Sequence, residues 1–391
     1  LKDALLPTNM ISAQLGLTDR LDVEAFYGLE WKGHELIPTG AFLNNQDYFG
    51  KGSNGVLVDL RNELGPLAEL VPGLNGENGI VAGARYGREH DARDDGQFGV
   101  ALRWLVGNTE LGLYGINYHS RTPIASTLAG TPSEININLG PLLRFNYPQR
   151  NADAARIFAE YPEDIQLFGL SFNTPGPFGL ALGGEYSFRP NLPLQIATPE
   201  LVLAALGLPN QAGQPHDLAP TPSGDRLAEG SYIRGYRDVK AHQLQLTALK
   251  AFPNVLGAAQ AIALLEAAYV YLDLPEGIKF NGPGVYLPSR QSGATLASLL
   301  GTTVVDFPYP NPIVANGSVQ PGDQGYATKS SWGLRAVGRL EYPDVFAGIN
   351  LLPRVIFAWD VKGVSPFLTE DVKSASLGLT ATYNQVWSAD I

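Results

Sequence analysis

FGLALGGEYSFR, at residues 178–189, alternates between two kinds of side chain. Its even-numbered residues are Phe, Leu, Leu, Gly, Tyr and Phe, whereas its odd-numbered residues are Gly, Ala, Gly, Glu, Ser and Arg. A strand places successive side chains on opposite faces, so these two sets separate completely, whereas a helix would mix them. The stretch is also as long as the tilted strands, about ten residues, that cross a bilayer. It therefore predicts a membrane-spanning strand with one apolar and one polar face.

The same alternation recurs along the chain. Five segments show it strongly: 21–32, 97–106, 331–342, 351–362 and 373–384. Four segments show it more weakly: 10–17, 110–120, 165–174 and 239–250. The Ala and Leu content of 261–272 favours a helix, but its Tyr-Val-Tyr run and its place in the series favour a strand, which is our interpretation. These segments make eleven wall strands, and 385–391 begins a twelfth.

Composition narrows the class of protein. Charged residues make up 17% of the chain, below the roughly 25% that is typical of soluble domains. The net charge of −11 argues against a nucleic-acid partner, because a phosphate backbone requires clustered Lys and Arg. Without cysteine there is no disulfide, no thiolate metal site and no cysteine nucleophile. No run of about 18 apolar residues occurs, so a closed barrel is the remaining way to cross a bilayer.

A soluble β-sandwich also has alternating strands, but three features favour a membrane barrel. The polar faces carry charges and many glycines, as a wet or plugged lumen does. The segments are longer than the roughly five or six residues of most soluble strands. All five tryptophans fall in predicted strands, mostly near an end, where interfacial aromatic girdles lie: Trp31, Trp104, Trp332, Trp359 and Trp387. We therefore predict an all-β fold, a transmembrane antiparallel β-barrel.

Connections between the predicted strands are either short or long. The short ones, expected to be periplasmic turns, are 18–20, 107–109, 175–177, 252–257 and 343–350. The long ones, expected to be external loops, are 33–96, 121–164, 190–237 and 273–329. A short alternating piece, 79–88, is interpreted as a loop hairpin or as the partner of a strand within 33–78. The outermost wall strands lack partners, so either the ends are missing or other segments complete the wall.

Some loop segments have helical signals: 60–70, 151–161, 201–206 and 293–300. Asn151 and Thr198 are the predicted N-caps of the two clearest, and Pro199 supports the second. The piece over 201–208 is apolar nearly all round and must be buried. We expect it either to cap the lumen or to form a small core of the loop itself. Its gate candidates are Leu201, Leu203 and Leu206.

Charged side chains on the predicted polar faces are the candidate site residues. They are Glu185, Arg189, Arg335, Arg339, Glu341, Arg354, Asp360 and Lys362. We expect them to line the lumen near the ends of the barrel. Either they form an internal salt-bridge lattice, or they form a selectivity ladder for a solute or a headgroup.

The sequence contains no recognisable catalytic or metal site. The five histidines do not follow the His-x-x-x-His or Glu-x-x-His spacing of zinc sites. His119 and Ser120 would point to opposite faces of a strand, so they do not form a base and nucleophile pair. Asp91, Asp94 and Asp95 fit either a calcium site or a solvated acidic turn, and we favour the turn. We therefore expect no enzymatic activity, no cofactor and no metal.

Seven motifs follow one another along nearly the whole chain. They are LLPTNM (5–10), GLTD (16–19), EAFY (24–27) with Trp31, RDDGQFG (93–99), NYHSR (117–121), GEYSFRPN (184–191) and WDVKG (359–363). With them the chain resembles the proteobacterial outer-membrane family catalogued as domain of unknown function 1302. The resemblance implies a longer protein, with strands before residue 1 and a closing strand after residue 391. It implies a complete barrel of about 14–18 strands.

No motif identifies a cargo. By analogy with long-loop channels for hydrophobic substrates, we expect an outer-membrane conduit for hydrophobic or amphipathic, lipid-like molecules. The alternative is a non-transporting barrel that acts as a scaffold or as a subunit of a larger cell-envelope complex. The expected location is the bacterial outer membrane. The expected partners are outer-membrane lipid, lipopolysaccharide, and periplasmic or envelope transport components.

Overall fold

The computed structural model describes residues 6–42, 50–59, 81–138, 144–150, 154–215, 227–282, 289, 314–315, 318–319, 325–384 and 386–391. Its strands are β1 (Met10–Thr18), β2 (Leu21–Gly28), β3 (Gly55–Asp59), β4 (Val81–Tyr86), β5 (Phe98–Val106), β6 (Thr109–Tyr118), β7 (Ile124–Leu128), β8 (Pro132–Asn138), β9 (Arg144–Arg150), β10 (Arg156–Glu160), β11 (Ile165–Pro175), β12 (Leu180–Gln195), β13 (Tyr232–Ile233), β14 (Tyr236–Val255), β15 (Ala258–Leu272), β16 (Val314–Ala315), β17 (Ser318–Val319), β18 (Ser330–Phe346), β19 (Ile349–Lys362), β20 (Lys373–Tyr383) and β21 (Trp387–Asp390). One α-helix, α1 (Thr198–Ala205), and a 3-10 turn (Pro177–Gly179) accompany them in these residues. No helix found there is long and apolar enough to span a membrane.

Twelve of these strands form one antiparallel sheet, which we call the wall. Its order is β1-β2-β5-β6-β11-β12-β14-β15-β18-β19-β20-β21. Every predicted wall segment coincides with one of these strands, and each strand pairs with the next wall strand along the chain, as in an up-and-down barrel. The predicted all-β fold with an antiparallel barrel wall is confirmed. Within the described residues β1 and β21 are the two edges, and the total of about 14–18 strands stays a prediction.

β15 confirms the strand interpretation of the ambiguous segment 261–272. Its backbone pairs with β14 on one side and with β18 on the other. This two-sided ladder satisfies its N–H and C=O groups, which outweighs the helical preference of its Ala and Leu residues.

The register gives the wall an apolar outer face. One row across five strands consists of Leu182, Ala248, Leu265, Ala336 and Phe357. The larger side chains of this face are not covered by other protein: Leu265 is 53% exposed, and Leu377, also on this face, is 85% exposed. Apolar exposure on this scale is typical of a surface that contacts lipid.

The opposite, inner face carries the polar side chains. A row that starts at the register pair Asp22 and Arg103 leads through Ser171 and Glu185 to Gln245. Beside it, Glu24 and Arg103 form an ion pair of 3.0 Å between β2 and β5. The predicted separation of apolar and polar side chains therefore holds across neighbouring strands as well as along each one.

Several wall strands extend beyond their predicted ends. β14 reaches 255 and β18 reaches 346, so the predicted connections 252–257 and 343–350 shrink to two-residue turns, Leu256–Gly257 and Ala347–Gly348. All four turn residues have positive φ, as a type I′ hairpin turn requires. β12 and β14 likewise take residues from both ends of the 190–237 excursion. Pro190 and Pro343 lie at register shifts, where a missing N–H is tolerated.

Trp31 is not part of a wall strand, which corrects the prediction for this residue. β2 ends at Gly28, and the Trp31 indole Nε1 donates to the Ser120 carbonyl oxygen at 3.1 Å. Its ring also packs edge-on against Tyr161, with the ring centres 4.7 Å apart. Trp31 therefore joins loop segments to one another.

Strands from the long connections form a second sheet of order β13-β7-β10-β4-β3. Within it, β10 pairs parallel with β4 and antiparallel with β7. β4 pairs antiparallel with β3, which confirms 79–88 as the partner of a strand within 33–78. We call this sheet, together with α1, the cap. Two further pairs, β8 with β9 and β16 with β17, form small separate hairpins.

The predicted helix over 151–161 is wrong. Residues 156–160 form β10, and Ile157, Phe158 and Ala159 are all buried. A short strand buried on both faces has no polar alternation, so periodicity cannot distinguish it from a helix.

The predicted helix over 201–206 is confirmed as α1, with one correction. Its N-cap is Ala197, and Thr198 is the first helical residue, without a side-chain capping hydrogen bond. The segments 60–70 and 293–300 lie outside the described residues.

The cap packs against the inner face of the wall. The residues of α1 share a hydrophobic core with the wall residues Val239, Ala241, Val270 and Leu272. By register, these four side chains belong to the inner face at the loop ends of β14 and β15. The core of the cap is therefore continuous with the interior surface of the wall and is not confined to one loop.

Candidate functional site

A recess of about 280 Å³ lies on the inner face across β6, β11, β12 and β14. Polar side chains make up much of its lining: Ser171, Glu185, Ser187, Arg189, Gln243 and Gln245. Ile116 and Leu167 lie beside them. We call this site the inner recess. It brings together two of the predicted site residues, Glu185 and Arg189.

The inner recess exists because small residues alternate with large ones on adjacent strands. Gly169 lies directly opposite Tyr114 in the register, and a Cβ on Gly169 would be 3.2 Å from the Tyr114 ring. The ring therefore lies across the glycine. The Tyr114 hydroxyl lies 3.1 Å from Ser171 Oγ, and this hydrogen bond holds the ring along the wall. The period-two pattern positions the remaining polar side chains.

The two charges of the inner recess are Glu185 and Arg189. Arg189 Nη1 donates to Ser187 Oγ at 3.3 Å, and in the part of the chain that the structure describes neither Glu185 nor Arg189 forms an ion pair. Both groups are therefore available to a solute. A carboxylate accepts and a guanidinium donates, so the inner recess can bind either kind of polar group.

Two other predicted site residues are committed to the wall. Arg335 Nη2 and Asp360 Oδ1 form an ion pair of 2.6 Å, and Asp360 Oδ2 also accepts from the Thr369 backbone N–H at 2.8 Å. Asp360 is buried. Both carboxylate oxygens of Asp360 therefore accept hydrogen bonds. The Arg335–Asp360 ion pair fits the interpretation of these charges as an internal salt-bridge lattice.

The remaining predicted charges lie apart from the inner recess. Arg354 forms an ion pair with Asp390 at 3.2 Å. Arg339 and Glu341 follow on the inner face of β18, and Arg339 is the register partner of Arg354. Lys362 lies opposite Trp332 at a bulge. A lumen-lining role for these four residues stays a prediction.

Three of the sequence motifs meet in one hydrogen-bonded network at the loop ends of β5, β6, β11 and β12. Arg93 contacts Glu163 and lies 2.5 Å from Asp164 Oδ1. Asn117 Nδ2 donates to the same Asp164 oxygen at 3.0 Å, and Asn191 Nδ2 donates to the Asp164 carbonyl oxygen at 2.8 Å. We call these residues, together with His119, the motif network. Sequence reasoning identified the motifs but not Asp164, which lies outside all of them.

Both ring nitrogens of His119 are engaged in hydrogen bonds with the loop backbone. His119 is buried, its Nδ1 accepts from the Asp164 backbone N–H at 3.0 Å, and its Nε2 lies 2.7 Å from the Asp95 carbonyl oxygen. These partners require the neutral Nε2–H tautomer. Asp94 accepts from the Trp31 backbone N–H at 2.9 Å, so the acidic turn also serves the loop structure. Among the described residues, no cluster of His, Asp or Glu is arranged to hold a metal ion.

Hydrogen bonding and burial shift pKa values at the loop end. The hydrogen bond from Arg93 lowers the pKa of Asp164, and burial partly opposes this. In the cap, burial raises the pKa of Tyr232, and its hydrogen bond to Glu160 raises it further. Asp164 is therefore an ionised acceptor in the motif network, and Tyr232 is a neutral donor to a carboxylate.

The gate candidates Leu201, Leu203 and Leu206 are all buried in the cap. The acidic residue of their helix, Glu200, is also buried, and its Oε2 accepts from the Gln211 backbone N–H at 2.5 Å. Gln195, at the end of β12, exchanges two hydrogen bonds with the backbone of Ala125 in β7, at 2.6 and 3.1 Å. This amide fastens the cap to the wall. No sequence pattern marks it, because its partners lie far away in the chain.

Comparison with known proteins gives one family. The family model described as "Protein of unknown function (DUF1302)" matches residues 1–391. The chain belongs to this family. Among curated proteins, none matches it.

Solved structures of two Pseudomonas proteins match the chain at low identity. OprB of Pseudomonas putida is 10% identical, with a TM-score of 0.33, and the match covers 98% of this chain and 59% of OprB. Two mutants of the ferric enterobactin receptor PfeA of Pseudomonas aeruginosa, one with enterobactin bound, are each 12% identical, with TM-scores of 0.30 and 0.29. The matches cover 95% of this chain and 38% and 39% of those receptors. The chain thus spans less than two thirds of each of these proteins.

Proposed function

We propose that this DUF1302 chain forms the wall of an outer-membrane conduit for amphipathic, lipid-like molecules. The observation that carries the proposal is the inner recess, where Glu185 and Arg189, which form no ion pair with another described residue, lie beside Ile116 and Leu167. A wholly polar lining would suit a water-soluble solute, and a wholly apolar lining would reject a headgroup. A lining with both kinds of side chain suits a molecule with an alkyl part and a polar end.

The outer face supports the membrane location. Its apolar side chains are exposed over many strands, and this exposed surface would be unfavourable in water. Long antiparallel strands with this pattern are typical of bacterial outer-membrane barrels. The polar inner face then borders an enclosed interior.

The cap supports a second candidate, a barrel that does not transport. Because the cap core includes inner-face residues such as Val270 and Leu272, it occupies the loop end of the interior. A conduit requires the cap to move or to leave a passage. A scaffold or a subunit of an envelope complex requires neither.

Uptake by vesicles separates the two candidates. The purified full chain is reconstituted into vesicles, and entry of a fluorescent alkyl carboxylate is followed. We expect uptake well above that of empty vesicles. Because charged hydrogen bonds are removed, we expect the double variant Glu185→Gln, Arg189→Gln to slow uptake about tenfold.

The matched control is Asp22→Asn, which removes an inner-face charge outside the inner recess. It should leave uptake near the wild-type rate. Uptake equal to that of empty vesicles would contradict the conduit. If a stable partner also co-purified with the chain, the scaffold would be favoured.

A further inference from the structure

A groove of about 410 Å³ lies on the outer face across β5, β6, β11 and β12, on the other side of the wall from the inner recess. Its centre is Gly115, which has no atom within 4 Å of the place where a Cβ would lie. The register neighbours of Gly115 are Val100 and Phe168, and both line the groove. The missing side chain thus leaves a gap in an otherwise continuous apolar surface. We call this site the outer groove.

The side chains that line the outer groove are apolar, and other parts of the protein do not cover them. Val100 is 48% exposed, and Leu113, Phe168 and Leu170 are each about half exposed. The same side chains belong to the face that contacts lipid under the proposed function. The gap is therefore continuous with the hydrocarbon, and an alkyl chain fits its chemistry and its open side.

A polar group lies at the loop-side end of the outer groove. Phe188 lines the groove, and on the next strand His242 stacks on it, with ring centres 4.7 Å apart. The Tyr186 hydroxyl lies 2.7 Å from His242 Nδ1. When this hydroxyl donates to Nδ1, the imidazole proton is on Nε2. Within the described part of the chain, Nε2 has no hydrogen-bond partner.

An unpartnered N–H on a lipid-facing surface is unfavourable, because hydrocarbon offers no acceptor. Near the end of the wall strands, however, lipid headgroups are within reach, and phosphate is the strongest acceptor they carry. His242 is therefore placed to receive the headgroup of a lipid whose chain lies against Gly115.

We propose that the outer groove binds one phosphate-bearing membrane lipid, with an acyl chain over Gly115 and the phosphate on His242 Nε2. This inference rests on the membrane location in the proposed function but not on transport. Unlike the surrounding lipids, the bound lipid would be held at a defined place on the wall.

The test uses the full chain in vesicles that contain phosphatidylglycerol with a photoreactive acyl chain. Labelled peptides are then identified by mass spectrometry. We expect enrichment in segments 98–118 and 165–188 over other wall segments. Gly115→Leu, which fills the gap, should reduce this labelling about fivefold, the effect of losing roughly one kcal/mol of packing.

Ala263→Leu is the matched control, because it adds the same side chain at an exposed outer-face position of β15 outside the groove. It should leave the enrichment unchanged. Val100→Phe fills the gap from the neighbouring strand and replaces Gly115→Leu if that variant does not fold. Labelling spread evenly over the wall, or unaffected by either filling variant, would overturn the proposal.

His242→Phe separates a headgroup contact from a packing role. It keeps an aromatic ring against Phe188 but removes the donor. Labelling by the phosphatidylglycerol probe should fall about fivefold, while labelling by the matching diacylglycerol probe should not change. Equal loss for both probes would contradict the phosphate contact. If no wall segment is labelled at all, the membrane location itself fails, which is a different result from even labelling.

Discussion

Asp164 lies outside all of the sequence motifs, yet it connects three of them by hydrogen bonds. It has a positive φ of 55°, and its carboxylate accepts from Arg93 and Asn117 while its backbone is held by His119 and Asn191. The Asn191 side chain also accepts from the Gln166 backbone N–H at 2.9 Å. Its Oδ1 thus takes the place of a backbone carbonyl as the acceptor for Gln166, just beyond the last register pair of β11 and β12, Phe168 and Phe188. Sequence spacing cannot reveal this network, because the four partners of Asp164 come from three distant parts of the chain.

The motif network should depend on pH through Asp164. Because the hydrogen bond from Arg93 lowers its pKa, the contribution to stability is present above the ordinary pKa of an aspartate. It is lost as the pH falls through the lowered value. Hydrogen exchange of segment 163–168, corrected for the intrinsic pH dependence, should therefore lose protection below about pH 4.

Asp164→Asn should lose this protection at neutral pH as well and show a flatter pH profile. The control, Asp19→Asn, changes an exposed turn at the other end of the wall and should keep the wild-type profile. An Asp164→Asn profile that matches the wild type would show that the carboxylate does not stabilise the network.

The cap illustrates why the loop elements were harder to predict than the wall. Wall strands can be predicted because apolar and polar residues alternate along them, one kind on each face. β10 is buried on both faces and pairs with β4, from the 33–96 excursion, and with β7, from the far end of its own excursion, 121–164. Its pairing is set by contacts remote in sequence, and local propensity favoured the wrong element. α1 was predictable because Pro199 and an all-apolar surface are local signals.

Close backbone contact at Gly235 is expected to hold the cap in place. A Cβ on Gly235 would lie 1.5 Å from the Ala125 carbonyl oxygen, and the Gly235 N–H donates to Ser126 Oγ at 2.9 Å. Gly235→Ala should therefore push β7 away, at a cost of about 1–3 kcal/mol. Hydrogen exchange of β7 should rise about tenfold or more.

Gly183→Ala serves as the control for this change. Its Cβ would lie 3.8 Å from the nearest atom, which is an ordinary contact. Exchange in β7 should not respond to it. If Gly235→Ala also leaves β7 protected, the cap does not depend on this contact.

For the whole molecule, adjacent leucines in β15 test which face meets lipid. Leu265 belongs to the outer face, opposite Ala336, and Leu264 belongs to the inner face, opposite Val337. Near the middle of a bilayer, a lysine on the lipid side costs about 2–4 kcal/mol, and one on the lumen side costs much less. Leu265→Lys should therefore reduce folding stability in vesicles, measured by denaturant titration, far more than Leu264→Lys. Equal losses would contradict the membrane assignment.

The part of the architecture that could be predicted is the wall, because its strands have a regular alternation of apolar and polar residues. The strand count of the wall, its neighbour order and its two faces follow from the alternating segments. The back-to-back inner recess and outer groove were not predictable, because each depends on the register of four strands around Gly115 and Gly169. A shift of one residue would exchange the faces and abolish both sites.

The shared core described above also sets an order of assembly. The wall pairs successive strands, so each hairpin can form as soon as its two strands exist. The core of the cap draws on residues from Ala84 to Leu368. Its last member comes after β19, so the core of the cap cannot be completed before ten of the twelve described wall strands have been made. Until that point in folding, the cap lacks part of its core and cannot reach its full stability.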